Sequence, residues 1–398
     1  MNKVYVVGTC DTKAEELLYA KQAVRAAGAD PLLVDVGTQS SFELADISAV
    51  EVAGHHPQGI QAVLGENDRG TAISAMAEAL TAFMATRSDI GAVLGLGGSG
   101  NTAVVTAAMR SLPIGVPKLM VSTVASGNTA PYVGPSDLAL MYSVVDIAGL
   151  NAISRKVIGN AAHAAAGMAM NKVTDPASDK PGLGMTMFGV TTACVTHVRA
   201  ALENSYEIYV FHATGIGGQS MEKLADSGLV SGLIDVTTTE VPDLLIGGVF
   251  PATKDRFGAI IRTKLPYVGS VGAVDMVNFG ARDTVPTQFR DRLLHVHNAN
   301  VTLMRTTPDE NRLIGEFIVE RLNRMEGPVR FLLPLGGVSA LDAPGQAFYD
   351  PKADAALFAA VRAGWKPAPN RQLIEIDAHL NDPSFSSALA DSFCDIAA

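Results

Sequence analysis

The sequence predicts an α/β protein of two Rossmann-like domains, each a mostly parallel sheet with helices on both faces. Three observations predict it. Short apolar runs recur, and each leads through small or polar residues into a segment of helical type, the βα rhythm of a parallel sheet. Hydrophobic residues make up 48% of the 398-residue chain and charged residues only 18%. No apolar run reaches the ~18–20 residues that cross a bilayer, so the apolar excess belongs to strands buried on both faces. Residues 172–184 (KVTDPASDKPGLG) are dense in Pro, Gly and Asp and separate two such series, giving domains 1–175 and 182–398.

Residues 3–7 (KVYVV) read as a buried strand. Gly8, Thr9, Cys10, Asp11, Thr12 and Lys13 follow, then a helix, AEELLYAKQAVRAAG, closed by Gly28. PLLVDVG is the second strand, ends at Asp35 and Gly37, and completes a βαβ unit. Residues 40–68 are irregular and read as cover for a cleft; adjacent His55 and His56 point apart on most backbones, which argues against a metal site. Residues 71–85 read as a helix. The stretch 90–102, IGAVLGLGGSGNT, is a strand, a glycine loop and a helix start, the arrangement that presents backbone N–H groups to an anion. Gly95, Gly97 and Gly100 satisfy GxGxxG; the same loop satisfies GxxxxG followed by Asn101 and Thr102, without the lysine of a P-loop. The alternative is a tight βα turn with no ligand. Residues 118–121 form the next strand, followed by the small polar groups Ser122, Thr123, Ser126, Gly127, Asn128 and Thr129. Residues 138–147 are apolar, and 151–170 form a long Ala-rich helix.

Ligands of open α/β sheets sit at the carboxyl ends of strands, so residues 8–13, 35–37 and 95–102 can face one crevice. There, Lys13 supplies phosphate charge, or Asp11 holds Mg²⁺ through water; alternatively Asp11 or Thr12 caps the helix. Asp35 stands where nucleotide folds place an acid for ribose hydroxyls, or is a solvated loop acid. Cys10 reads as a small packing residue.

The second half echoes the first as a structural repeat. Residues 185–190 form a strand, 193–203 a helix and 207–211 a strand. A second glycine loop, HATGIGGQS at 212–220, follows and is suited to an anion or a carbonyl substrate. Residues 233–236, 268–277, 329–335 and 373–377 are further strand patterns, and 311–325 a helix. His212 and Glu240 sit at strand ends and are the best general acid/base pair, with Arg305 as a carboxylate clamp. The plain alternative has His212 packing and Arg305 paired with a local acid. Cys194 and His197 lack the partners of a zinc site, and His295 and His297 read as two residues sharing a strand face at the surface or at a domain contact. Three cysteines suggest no disulfide framework; together with an N-terminus that lacks signal-peptide patterning, they point to the cytoplasm. Scattered Lys and Arg in a chain of net charge −10 exclude a nucleic-acid footprint.

VGTCDTK at 7–13, GLGGSGNT at 95–102, ASGNTAPYVGPSD at 125–137, SVVDIAGLN at 143–151, FHATGIGGQSME at 211–222, HNANVTLMRTT at 297–307 and GGVSALDAPGQAFYD at 336–350 together make nearly the whole chain resemble the Tm-one-like ATP-binding domain family. The family is named for a plant tobamovirus-resistance protein. The resemblance implies two Rossmann-like domains, ATP in the first, and a homodimer, but no agreed reaction. Asn101 stands where the family's glycine loop has glycine, and Asn128 where it has an acid, which leaves the metal ligands open. The expectation is an ATP-binding protein, with or without Mg²⁺. Gly8, Thr9, Asp11, Thr12, Lys13, Gly97, Gly98, Ser99, Gly100, Asn101, Thr102, Ser126, Gly127 and Asn128 would surround the phosphates and Asp35 the ribose. One alternative is a metabolic enzyme acting on a small carboxylate or carbonyl compound between the domains. Another is an NAD(P)-dependent oxidoreductase, although residues 120–123 (MVST) hold no acid where that fold needs one. A third is a non-catalytic module with structural ATP.

Overall fold

Five segments of the first half pair in parallel: β1 (Lys3–Gly8), β2 (Pro31–Asp35), β3 (Ile90–Gly97), β4 (Lys118–Ser122) and β5 (Ala139–Tyr142), in the order β2-β1-β3-β4-β5. The computed structural model describes residues 2–39, 42–171, 173 and 180–397. It divides into two compact units, Met1–Asp175 and Pro176–Ala398. Most of the proposed linker, residues 172 and 174–179, lies outside the described residues.

The period-2 alternation of β1 explains the layering of the first unit. Tyr5 and Val7 pack with the helices Arg69–Ala85 and Ser99–Ser111 on one face. Val4 and Val6 pack with Cys10–Ala26 and Ala152–Met170 on the other. The first helix begins at Cys10, four residues before the start read from the sequence. The Asp35 carboxylate draws it back: its Oδ1 accepts the Cys10 amide at 2.9 Å, and the backbone leaves helical geometry again at Lys13.

The second unit carries β6 (Gly182–Met187), β7 (Glu207–His212), β8 (Gly232–Thr237), β9 (Tyr267–Gly272), β10 (Met276–Phe279), β11 (Leu294–Asn298), β12 (Val301–Arg305), β13 (Val329–Pro334) and β14 (Arg371–Ile376). Six form a parallel sheet, β14-β13-β9-β8-β6-β7, again with apolar cores on both faces. The other three form an antiparallel sheet, β10-β12-β11, that the sequence did not announce. The run 268–277 therefore is not one strand. It turns at Ala273, whose φ of 57° is left-handed and whose amide bonds Val338, and Met276–Phe279 then joins a different sheet.

Both parallel sheets reverse their winding beside their first strand. β2 and β3 flank β1, and β7 and β8 flank β6. The crevices β1/β3 and β6/β8 are thus topological switch points, where open α/β sheets bind ligands. No described helix is long and apolar enough to cross a membrane. Phe331 lies in β13 with no solvent exposure. Phe331→Ala is expected to cost about 3–5 kcal/mol, read as a lower urea midpoint.

Candidate functional site

The glycine loop after β3 is a close-packed backbone turn. A Cβ on Gly97 would lie 2.7 Å from the Asn101 Cβ, so only glycine admits the following helix this near the strand. The helix Ser99–Ser111 opens at Gly98 with no side chain capping it. The first amides of such a helix lack intrahelical partners and carry the positive end of its dipole. Behind them, Thr102 is fully buried. Its hydroxyl donates to Gly98 O at 2.8 Å, so the Ser122 hydroxyl, 2.7 Å away, donates into Thr102. Asn101 Nδ2 donates to Leu96 O, while Asn101 Oδ1 is buried without a partner.

β1 pairs with β3, so Gly8 and Thr9 stand beside this loop. The Thr9 and Thr12 hydroxyls lie 3.0 Å apart, and Asp11 is exposed in the first helical turn. Two expected roles change. The Lys13 ammonium is taken by Ile147 O, so it is not the free phosphate charge the sequence suggested. Asp35 is 1% exposed, and its Oδ1 accepts from the amides of Cys10 and Gly37; it positions the Thr9 loop instead of standing open to a ribose. Burial, reinforced by Asp35, pushes the Cys10 thiol far up, leaving it protonated and inert. Ser126, Gly127 and Asn128 are exposed in the turn after β4, whose start is tied to the loop by Thr123 N–H to Gly97 O. Asn128 Oδ1 accepts the Ala130 amide.

The second glycine loop is used differently. Glu240 is fully buried and its Oε1 accepts the amides of Gly215 (2.7 Å) and Gly218 (2.9 Å). A side chain on Gly218 would land on the Glu240 carboxylate. The protein has supplied its own anion to these N–H groups. Glu240 Oε2 in turn receives Arg256 Nε at 3.2 Å, and Arg256 also binds Glu222 (2.8 Å) and Asp235 (2.7 Å). Burial raises the pKa of both Glu222 and Glu240 against the pull of Arg256. Glu240 is therefore not placed as an acid/base partner for His212. Nor is Arg305 a free clamp. It is 4% exposed and donates to Phe348 O (2.7 Å), Asp354 Oδ1 (2.8 Å) and Thr306 Oγ1 (3.0 Å).

His212 instead lines a cavity of about 200 Å³ at the carboxyl ends of β6 and β7. Phe188, Val190, Phe250 and Leu303 form apolar walls. Phe188 stacks on the His212 ring at 5.1 Å and 21°. His297 and Asn298 close the other side. Along β11 the register slips: Val296 faces Thr302 and Asn298 faces Val301, so His297 is the extra residue of a β-bulge. His295 faces Leu303 across the ladder, and Leu303 lines the cavity together with His297, so the two histidines share the cavity side of the ribbon as expected. His295 sits edge-on to Phe348, which packs with Phe188, Val190 and Leu303, and His297 lines the cavity itself. Sequence reasoning missed Phe188, Phe250 and Asn298; the one local signal was Phe188-Gly189 directly after a strand. No group of three or more potential metal ligands occurs among the described residues.

Residues 2–174 match the N-terminal domain of the uncharacterised protein family UPF0261, and residues 180–397 its C-terminal domain. The chain belongs to this family. A UPF0261 protein from Mesorhizobium japonicum is 58% identical over the whole of both chains, and one from Rhizobium meliloti 56%. The ToMV resistance protein Tm-1(GCR237) of Solanum lycopersicum is 43% identical over 99% of this chain and 56% of its own length. The family resemblance drawn from the sequence motifs is borne out.

Two predictions follow from the buried charges. Gly218→Ala forces Glu240 off its amides and is expected to cost more than about 2 kcal/mol by urea denaturation. Burial lifts the Asp243 pKa to about 7, and those of Asp275 and Asp354 also rise. An acid with a raised folded-state pKa keeps a proton that the unfolded chain releases above about pH 4, so folding weakens as pH rises. Stability should fall between about pH 4 and pH 7, by up to about 1.4 kcal/mol per pH unit for each such group. Asp243→Asn should flatten the slope measured by denaturation across that range.

Proposed function

We propose that the N-terminal unit binds a nucleoside triphosphate, ATP with Mg²⁺, at the β1/β3 crevice. The observation that carries this reading is the thirteen-residue helix Ser99–Ser111, which begins uncapped at a bare glycine loop on a topological switch point. The amides of Ser99, Gly100 and Asn101 and the Ser99 hydroxyl serve the phosphates, with the Thr9 and Thr12 hydroxyls on the facing wall. Exposed Asp11 offers the carboxylate for Mg²⁺, and the unpartnered Asn101 Oδ1 is an acceptor for a bound water or hydroxyl. Ser126, Gly127 and Asn128 flank the site as exposed turn residues. The position of the glycine loop favours this over NAD(P). A dinucleotide fingerprint follows the first strand of its unit; here the loop follows the third strand in sequence. A homodimer belongs to the same proposal and is read by light scattering.

Isothermal titration with ATP and Mg²⁺ tests the site. A Cβ on Gly98 would meet only Thr123 Oγ1, at 3.7 Å, so Gly98→Val is expected to leave the fold intact while covering the helix start. It should weaken ATP binding by about tenfold or more, and chelation of Mg²⁺ should weaken it in the unaltered protein. No binding at about 5 mM ATP, with or without Mg²⁺, overturns the reading.

A further inference from the structure

We infer that the cavity between His212 and His297 in the C-terminal unit binds a compact carboxylate with an apolar or aromatic body. Its volume, about 200 Å³, suits a single ring or a short branched chain. Its walls supply the matching surface, and they are fixed from behind. Phe188 is stacked on His212, the Val190 carbonyl accepts from the Ala340 amide and Asn381 Nδ2, and the Phe250 amide is held by Asp243 Oδ2 at 2.8 Å. A pocket whose walls are already ordered binds without the entropic cost of assembling them.

The rim sets the charge preference. Two imidazoles, the Asn298 amide and the Thr214 hydroxyl are the polar side chains lining the cavity, and none of the lining residues is acidic. In a chain of net charge −10 that exclusion is selective, and imidazole N–H groups donate to carboxylate oxygens. The bulge is an independent sign of purpose. It shifts the β11–β12 ladder so that Asn298, and not His297, faces Val301, and both His297 and Asn298 line the cavity; bulges are concentrated next to active sites. Glu240 and Arg305, engaged in the interior, take no part. The site lies wholly within the C-terminal unit and is independent of the nucleotide proposal.

Titration of the full chain, without nucleotide, uses benzoate and 3-methylbutanoate as probes and benzyl alcohol as the neutral control. Binding is read by calorimetry and by the histidine ring-proton NMR signals. Benzoate should bind with a Kd of about 1 mM or tighter, shift the His212 and His297 signals, and outcompete benzyl alcohol by about tenfold. A Cβ on Gly189, a lining residue, meets no atom within 4 Å, so Gly189→Leu should fill the cavity and abolish binding. His297→Asn, at an exposed bulge, should weaken it about tenfold. Failure of both carboxylates to bind at about 20 mM overturns the inference, as does binding that both substitutions leave unchanged or that benzyl alcohol matches. Should Gly189→Leu not fold, the His297→Asn titration and the signal shifts of the unaltered protein decide the same question.

Discussion

A guanidinium removed from water costs several kcal/mol unless its hydrogen-bonding positions are filled, and Arg256 fills them with carboxylates from three places in the C-terminal unit. Glu222 comes from the helix Ile216–Asp226, Asp235 from β8, and Glu240 from just beyond β8. Burial holds Glu222 and Glu240 with raised pKa values against the pull of Arg256, and the charge of Asp235 adds to the rise. The consequence reaches the surface. Glu240, fixed on one side by Arg256, fixes on the other the amides of Gly215 and Gly218. That loop leaves β7 at His212, so the interior ion cluster holds one wall of the cavity in place.

The two glycine loops look alike in sequence and behave oppositely. At residues 95–100, glycine lets a helix start approach the strand end and leaves its amides without a side-chain cap. At residues 215–218, glycine lets an internal carboxylate approach the same kind of amides and consume them. Glycine spacing reports a close approach of backbone to something; it does not say whether that thing is a ligand or the protein itself. The distinction rests on Glu240, which lies 25 residues beyond Gly215 and folds back onto it.

Legibility followed the range of the interactions. Strands buried on both faces carry continuous apolar runs, so β1, β3, β4, β8 and β13 could be read locally, as could the long helices. The antiparallel sheet could not. Leu294–Asn298 is half exposed and has no apolar run, and the departure of β10 from the line of β9 depends on Ala273 meeting Val338, a contact 65 positions away. The site residues divide in the same way. The loops at Gly97–Gly98 and Thr9 were visible as strand-end chemistry, because position in an α/β sheet follows from chain order. The occupation of Lys13 by Ile147, of Glu240 by Arg256, and of Arg305 by Asp354 depends on partners that the local pattern does not encode.

The switch points explain why the two candidate sites lie in different places on sheets of related winding. In the N-terminal unit the β1/β3 crevice is bordered by exposed Ser99 and Asp11. In the C-terminal unit the equivalent β6/β8 crevice is closed by hydroxyls. Thr191 and Thr237 are fully buried with their Oγ1 atoms 2.8 Å apart, and the Thr186 hydroxyl accepts the Thr237 amide at 3.0 Å. Each oxygen in this cluster already has a partner, so the crevice offers no unfilled valence to a ligand. Open space appears one strand further out, beyond β6 and β7, where Gly189 has no side chain and the β11–β12 ribbon forms the opposite wall. The parallel sheet still delivers its loops to the carboxyl edge. The threonine seal decides which pair of loops a ligand meets there, and it moves the meeting place from the switch point to the histidine-rimmed edge.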